Sequence, residues 1–567
     1  MIHIKINNKE ISARPGETIL VVALRNSIKI PFLSYHPDLN NKGGDRVSLV
    51  EIKGRTKLVA ADATLVYEGM EILSNSPRAK KMRRLNLELL FSSHIEKCQD
   101  CTQRYNCGLL NLAKDNNIKI SEYEDRKADR KTYKFSNAVE IDGSQCIDCG
   151  NCVEACALQG IDFLHFDGNG YTQEIKPVAD KKKACIYCGQ CTNVCPVAAA
   201  QEQSEWQGVE KALADKNNIM VAQFAPAARI SIGEEFGMPY GTNCAKKINT
   251  ALKLLDFKYV FDINFGADIT TMVEAEELLN RLGNTKATLP IMTSCCPSWV
   301  AYVEFYHPEL IPNLTTARSP QIHGAGAIKS YFAKKNKIDD KRIKVVSIVP
   351  CTSKKHEAGR RELYYKKRPL VDYVLTVREF AFMLKKRQIN LATLKDSETD
   401  PLFNDGSGAA AIYGASGGVM ESALRSAISL YDVDKKKKSR IERLEFKEVR
   451  GLEGIKEATI NLGKKKLKVA VVSGIANFPK IINKLKQYHY IEVMACPGGC
   501  LAGGGQPFPT TNEIRKKRSQ GLYKIDSGKK VRRAHKNQAM LDYVDWVKER
   551  KLSKQLLHTK FFVNKSR

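Results

Sequence analysis

Seventeen cysteines occur in this 567-residue chain, and eleven of them lie between positions 98 and 195. Their spacing points to metal ligation. Cys146, Cys149, Cys152 and Cys156 follow C-x2-C-x2-C-x3-C, and Cys185, Cys188, Cys191 and Cys195 repeat it, with Pro196 after the last. Three closely spaced thiolates hold three irons of a cubane, and the fourth cysteine of each run ligates the other cluster. Cys146, Cys149, Cys152 and Cys195 therefore make one 4Fe-4S ligand set. Cys185, Cys188, Cys191 and Cys156 make the second. Upstream, "HIEKCQDCTQRYNC" offers His94, Cys98, Cys101 and Cys107. Three thiolates and an imidazole suit either a zinc ion or a further cubane, and a position just before two cubanes favours the cubane.

The remaining chemistry sits in three loops, "LPIMTSCCPSW" (289–299), "IKVVSIVPCTSKKHE" (343–357) and "YIEVMACPGGC" (490–500). Each follows a hydrophobic, β-branched run that reads as a buried strand. Strands alternating with helical stretches such as "TMVEAEELLNRL" indicate α/β architecture, and in such folds functional loops gather at the carboxyl ends of strands. The third loop continues as "LAGGGQP", where glycine lets backbone wrap closely around a bulky object.

Composition narrows the class. Hydrophobic content of 43% and charged content of 27% are those of a soluble multidomain protein. No segment has the apolar length of a membrane span, and "MIHIKINNKE" does not read as a signal peptide, so the cytoplasm is expected. In that compartment the cysteines are metal ligands rather than disulfides. The net charge of +29 comes from dispersed lysines, as in "DKKKAC" and "DVDKKKKSR", without a nucleic-acid motif. An acidic electron carrier suits this surface better than nucleic acid.

TSCCP-x-W, PCTSKKxE and E-x-MACPGGC-x-x-GGGQP, in this order and spacing, resemble the signature loops of iron-only (FeFe) hydrogenases. The resemblance covers essentially the whole chain. It implies that Cys296, Cys351, Cys496 and Cys500 hold a 4Fe-4S cubane. Cys500 would bridge to a two-iron subcluster carrying carbonyl, cyanide and a dithiolate amine, the H-cluster. It implies that Lys354 and the Ala225–Pro226 pair contact the cyanides and that Met494 packs beside the cofactor. Cys295 would deliver the proton, supplied through Glu274, Thr315, Glu277 and Arg281. On a helix Glu274, Glu277 and Arg281 share one face; without the resemblance they would read as a surface ion-pair face. Val349, Tyr413 and Ser298 replace the family's usual methionine, phenylalanine and glycine around the site. Cys244 is left as an ordinary buried thiol.

The expected fold class is multidomain α/β plus α+β. Residues 1–78 form a β-grasp-like domain, 79–125 a His/Cys cluster domain, and 135–205 a two-cluster bacterial ferredoxin domain. Residues 210–507 form an α/β catalytic H-cluster domain of two lobes, and 508–567 a small-subunit-like segment. "IPFLSYHPDL", "GGDRVSLVEIKG" and "VAADATLVYEG" resemble a plant-type ferredoxin, yet Ser34, Asp45, Ser48 and Asp62 stand where that domain has four cysteines. Hydroxyl and carboxylate oxygens poorly replace thiolates around iron and sulfide. No 2Fe-2S cluster is expected there, and electrons would enter at the His94 set or the two-cluster module.

The resemblance implies reversible hydrogen production, with ferredoxin as electron partner, three accessory 4Fe-4S clusters and dedicated H-cluster maturation proteins. Membrane partners are not expected. Within the enzyme class, the alternative is the catalytic subunit of an electron-bifurcating complex with NAD-linked flavoprotein subunits. A hydrogen sensor would replace Cys295 and append a signalling domain. An iron-sulfur assembly relative would lack part of the ligand set, which here is whole.

Overall fold

The computed structural model describes all residues except 41, 93, 95–97, 119–126, 402, 404–405, 435–444, 453, 464 and 565–567. The end of the expected 79–125 domain, the lysine run after 434 and the last three residues of the 508–567 segment therefore lie outside the described residues.

Strands Ile2–Ile6 and Lys9–Ala13 form a hairpin turned through Asn7 and Asn8. Both asparagines have positive φ (51° and 66°), which a tight two-residue hairpin turn requires. Period-two alternation buries Ile4, Ile6, Ile11 and Ala13. Glu71–Leu73 pairs in parallel with the first strand, and Leu49–Ile52 and Val59–Ala60 complete a five-stranded sheet. The helix Ile19–Arg25, capped by the Thr18 hydroxyl, buries Ile19, Leu20, Val22 and Ala23 in this unit's core. The helix Pro77–Phe91, begun by a Ser76 cap and a proline in its first turn, leads into the cysteine-rich region. There Thr132–Phe135, Val139–Asp142 and Ala200–Glu202 form a three-stranded sheet beside the helix Asn151–Leu158.

Beyond residue 206 lie two four-stranded sheets. Their strands are β1 (Ile219–Phe224), β2 (Tyr259–Asp262), β3 (Ile291–Met292), β4 (Ile343–Val349), β5 (Tyr373–Thr376), β6 (Gly454–Leu462), β7 (Lys465–Ser473) and β8 (Tyr490–Met494). The first sheet has the order β2-β1-β4-β5 and is wholly parallel. The second runs β3-β8-β7-β6, with only β6 antiparallel. Every residue of β1 and β8 is buried, as in parallel strands covered on both faces. The helix α1 (Asn264–Gly283), 20 residues long and so about 30 Å, carries Glu274, Glu277 and Arg281.

The cores cut across the segments read from sequence. Tyr543, Val547 and Leu556 of the C-terminal segment join the core of the first sheet. Cys146, Cys152 and Cys195 share a core with Trp299, Val472 and Ile491 of the second. Among the described residues no helix is long and apolar enough to cross a membrane.

Candidate active site and its approaches

The carboxyl ends of β1, β3, β4 and β8 open onto one cavity of about 80 Å³. β1 delivers Ala225 and Pro226, β3 delivers Cys295 and Cys296, β4 delivers Cys351, and β8 delivers Met494, Cys496 and Cys500. Val349, Lys354, Ser298 and Tyr413 complete the wall, so every side chain expected next to the cofactor lines this one space. Apart from sulfur, the Lys354 ammonium and the side chains of Ser298, Gln321 and Tyr413, the lining is apolar.

Lys354 is largely buried, and its Nζ donates to the Cys295 carbonyl (3.0 Å) and to Glu357 Oε2 (2.9 Å). Burial would lower its pKa, but the Glu357 carboxylate beside it outweighs burial and raises it. An ammonium has three protons, which leaves one for the cavity. Glu357 is held in turn by Ser319 Oγ (2.8 Å) and Gln321 Nε2 (2.7 Å).

The donors fit an iron-sulfur body. No three His, Cys, Asp or Glu side chains among the described residues converge as the ligands of a single ion do. The cysteines instead ring larger spaces. Burial pushes the Cys351 thiol up to about 12, so these sulfurs need a bound cation's charge to become thiolates. Cys146, Cys149, Cys152 and Cys195 line one small space, and these are the four residues grouped from spacing. Cys156 contributes electrostatically at Cys185, Cys188 and Cys191, which places the second set together. Cys98 and Cys107 act likewise on Cys101, and Cys195 acts on Cys107. His94 Nδ1 lies 2.8 Å from the Gln145 carbonyl; as a donor there, Nδ1 leaves Nε2 free to ligate.

The glycines of "LAGGGQP" allow close backbone approaches on more than one side. A Cβ on Gly503 would lie 2.2 Å from the Pro350 carbonyl oxygen, and one on Gly504 would lie 2.5 Å from Gly189 Cα. Their small size lets the Cys500 loop press against the Cys351 loop and the two-cluster module, while Gly503 also lines the cavity. Cys496 Sγ consequently stands 4.0 Å from the Cys188 carbonyl oxygen. The three accessory sets and the cavity thus form a continuous series.

On the opposite side, Glu277 Oε1 accepts from Arg281 (2.6 Å) and Oε2 from Thr315 Oγ1 (2.8 Å). Glu274 is not hydrogen-bonded to them. Its Oε2 accepts from the Tyr490 hydroxyl (3.0 Å), while Oε1 is buried without a hydrogen bond. Burial pushes this carboxyl up to about 8, and the Glu277 and Glu492 charges add to the shift. Burial also holds the Cys295 thiol well above the ordinary range, with Glu274 the next cause.

Sequence reasoning missed Tyr490, Thr316 and Glu492. Tyr490, Glu492 and Met494 alternate along β8 and so share a face, which was a readable signal. Glu492 caps the helix Gly418–Asp434 by accepting from the Gly417 and Met420 amides, both at 2.7 Å. The Tyr413 hydroxyl, absent from phenylalanine, bonds Thr271 at 3.0 Å.

In the N-terminal sheet domain, the four positions that carry cysteine in plant-type ferredoxins pair off. The Ser34 amide donates to Asp45 Oδ2 (2.6 Å), and the Ser34 hydroxyl bonds the same oxygen. The Ser48 hydroxyl donates to Asp62. The domain is docked as well: Asn151 Nδ2 donates to the Ser34 carbonyl (2.8 Å), and Arg515 pairs with Asp38.

Domain families match along the length of the chain. The iron-only hydrogenase large subunit, C-terminal domain, matches residues 218–504, and the iron hydrogenase small subunit matches 512–564. A 4Fe-4S dicluster domain matches 139–202, and a 2Fe-2S iron-sulfur cluster binding domain matches 1–77. The NADP-reducing hydrogenase subunit HndD of Solidesulfovibrio fructosivorans is 37% identical, covering 99% of both chains. Iron hydrogenase 1 of Clostridium pasteurianum is 39% identical over 94% of this chain and 95% of its own. A solved variant of FeFe-hydrogenase HydA1 from Chlamydomonas reinhardtii superposes with a TM-score of 0.56 at 35% identity, covering 64% of this chain and 99% of that one.

Proposed function

This chain belongs to the iron-only hydrogenases and catalyses 2H⁺ + 2e⁻ ⇌ H2, and we propose a division of labour among its residues. Cys296, Cys351, Cys496 and Cys500 hold the H-cluster. The single observation that carries this is the cavity where four strand ends present these cysteines together with Cys295 and Lys354. When bound, the H-cluster supplies the redox iron at which protons and electrons combine. Lys354 offers its remaining ammonium proton to an anionic group in the cavity, and Ala225, Pro226, Val349 and Met494 keep water out.

Cys295 Sγ presents a proton at the cavity wall. Behind it Glu274, kept protonated through neutrality by burial, acts as the proton reservoir. Arg281 and Thr315 fix the Glu277 carboxylate as the outer station of the relay. With iron-sulfur clusters bound, the His94, Cys146 and Cys185 sets would supply an electron path to the cavity. The electrons come from a reduced ferredoxin in the cytoplasm, recruited by the basic surface. Residues 1–78 serve as a cluster-free unit whose Ser–Asp pairs tie the loops together.

Cys295→Ala tests the central assignment. Every cofactor ligand remains, so the infrared bands of carbonyl and cyanide should persist while hydrogen evolution falls at least about a hundredfold. Near-normal evolution would sink the proton-donor role. A second reading, favoured by the full-length match to HndD, makes the chain one subunit of a nicotinamide-linked complex. Hydrogen evolution from reduced ferredoxin, compared with NADPH and NADH, separates the two.

A further inference from the structure

Arg281 is poorly suited to bring protons in. A guanidinium does not deprotonate in proteins, and both terminal nitrogens of this one are bound to protein oxygens. It donates to Glu277 and to the Thr288, Pro312 and Leu314 carbonyls at 2.6 to 3.2 Å. A second chain reaches the same carboxylate. Thr316 Oγ1 donates to Glu277 Oε2 (3.0 Å), and His558 Nδ1 lies 2.9 Å from Thr316 Oγ1. Since the hydroxyl spends its proton on Glu277, its oxygen accepts from the imidazole.

The C-terminal segment holds His558 there by its backbone. Thr559 N donates to the Thr316 carbonyl (2.8 Å), and Arg318 Nε donates to the His558 carbonyl (2.9 Å). The imidazole is partly exposed. It faces the charges of Glu277, Glu276, Arg318 and Lys548, and the Glu276–Lys548 pair lies at the surface, each side chain more than 40% exposed (43% and 47%). One end of the ring therefore meets solvent and the other meets the relay.

We propose that His558 is the proton intake of this hydrogenase, feeding Glu277 through the Thr316 hydroxyl, with Arg281 positioning the carboxylate. The step is a balanced hand-over. Nε2 takes a proton from water or buffer, Nδ1 gives one to Thr316 Oγ1, and Thr316 gives its own to Glu277 Oε2. In hydrogen oxidation the same steps run outward. His558 touches neither cofactor nor hydrogen and acts only through Glu277, so the proposal rests on the relay reading above.

The test is hydrogen evolution by His558→Ala and Thr316→Val holoenzymes across pH, with and without added 4-methylimidazole. Thermal midpoints and infrared bands serve as controls. Each variant should lose roughly 3- to 10-fold in kcat with the KM for the electron donor unchanged. Free imidazole should restore the alanine variant and leave Thr316→Val slow, because the hydroxyl link is missing there. Should His558→Ala keep the parent's rate and pH profile, or lose rate that imidazole does not restore, the intake role is overturned. Glu277→Gln separates the layers. If it is inactive while His558→Ala is normal, only the intake falls; if it runs at the parent's rate, the relay reading falls and takes this proposal with it.

Discussion

Glu274 is a carboxyl placed where ionisation is unfavourable, and that has a consequence for stability. Burial holds it at about 8 in the folded protein against 4.5 ordinarily. A group whose folded value is raised contributes stability that is full below the unfolded value and is lost as pH rises through the folded one. The stability attached to protonated Glu274 should therefore drain away between about pH 4.5 and 8. Glu274→Gln keeps the shape and the neutral state but cannot titrate. Its thermal midpoint, measured from about pH 6 to 9, should fall less with pH than the parent's. Its hydrogen evolution should be at least roughly a hundredfold lower. Midpoints that decline in parallel would show that Glu274 ionises as freely as a surface carboxylate.

Two elements carry predictions of their own. The Cys500 loop approaches the two-cluster module through Gly504, where an added Cβ would meet Gly189 Cα at 2.5 Å and the Cys188 carbonyl at 2.8 Å. Both obstacles are backbone, so Gly504→Ala must push the loop away. Ferredoxin-driven evolution should fall by about tenfold as the last electron step lengthens. Hydrogen–deuterium exchange at the active site needs no long-range electron and should survive; loss of both together would mean that the loop itself had collapsed. In the N-terminal sheet domain, Ser48→Ala leaves the buried Asp62 carboxyl without its hydroxyl donor, a loss of about 1–3 kcal/mol. Proteolytic cleavage within residues 1–78 should accelerate with no change in iron content. A drop in iron, or a 2Fe-2S paramagnetic signal from the parent, would contradict the cluster-free reading.

For the whole molecule, the formal charge of +29 bears on association rather than on folding. The proposed attraction to an acidic ferredoxin would be screened beyond about 8 Å at physiological salt. Evolution driven by reduced ferredoxin should slow several-fold between about 50 and 300 mM salt, through on-rate. Evolution driven by a small neutral dye should change little. Equal salt sensitivity for both donors would place the effect inside the enzyme and remove steering.

Spacing along the chain groups the cysteines, because a cubane takes three ligands from one short loop, and Cys146, Cys149, Cys152 and Cys195 do line one space. The strand-end loops were legible for a similar reason: a buried β-branched run followed by cysteine is a local signal. The exchange of four thiolates for Ser34, Asp45, Ser48 and Asp62 was legible too, but not that these oxygens pair with one another. What tertiary structure decided are contacts between remote segments. Tyr490 meets Glu274 across 216 residues and His558 meets Thr316 across 242. Gly504 takes the shape of Gly189 from a different domain. Composition says that backbone must pass close to something at "GGG", whereas only the packing of the parallel sheets against the two-cluster module says what. Hydrogen bonds and steric fit act over a few ångströms of space, and parallel sheets bring strands together without regard to their separation in sequence.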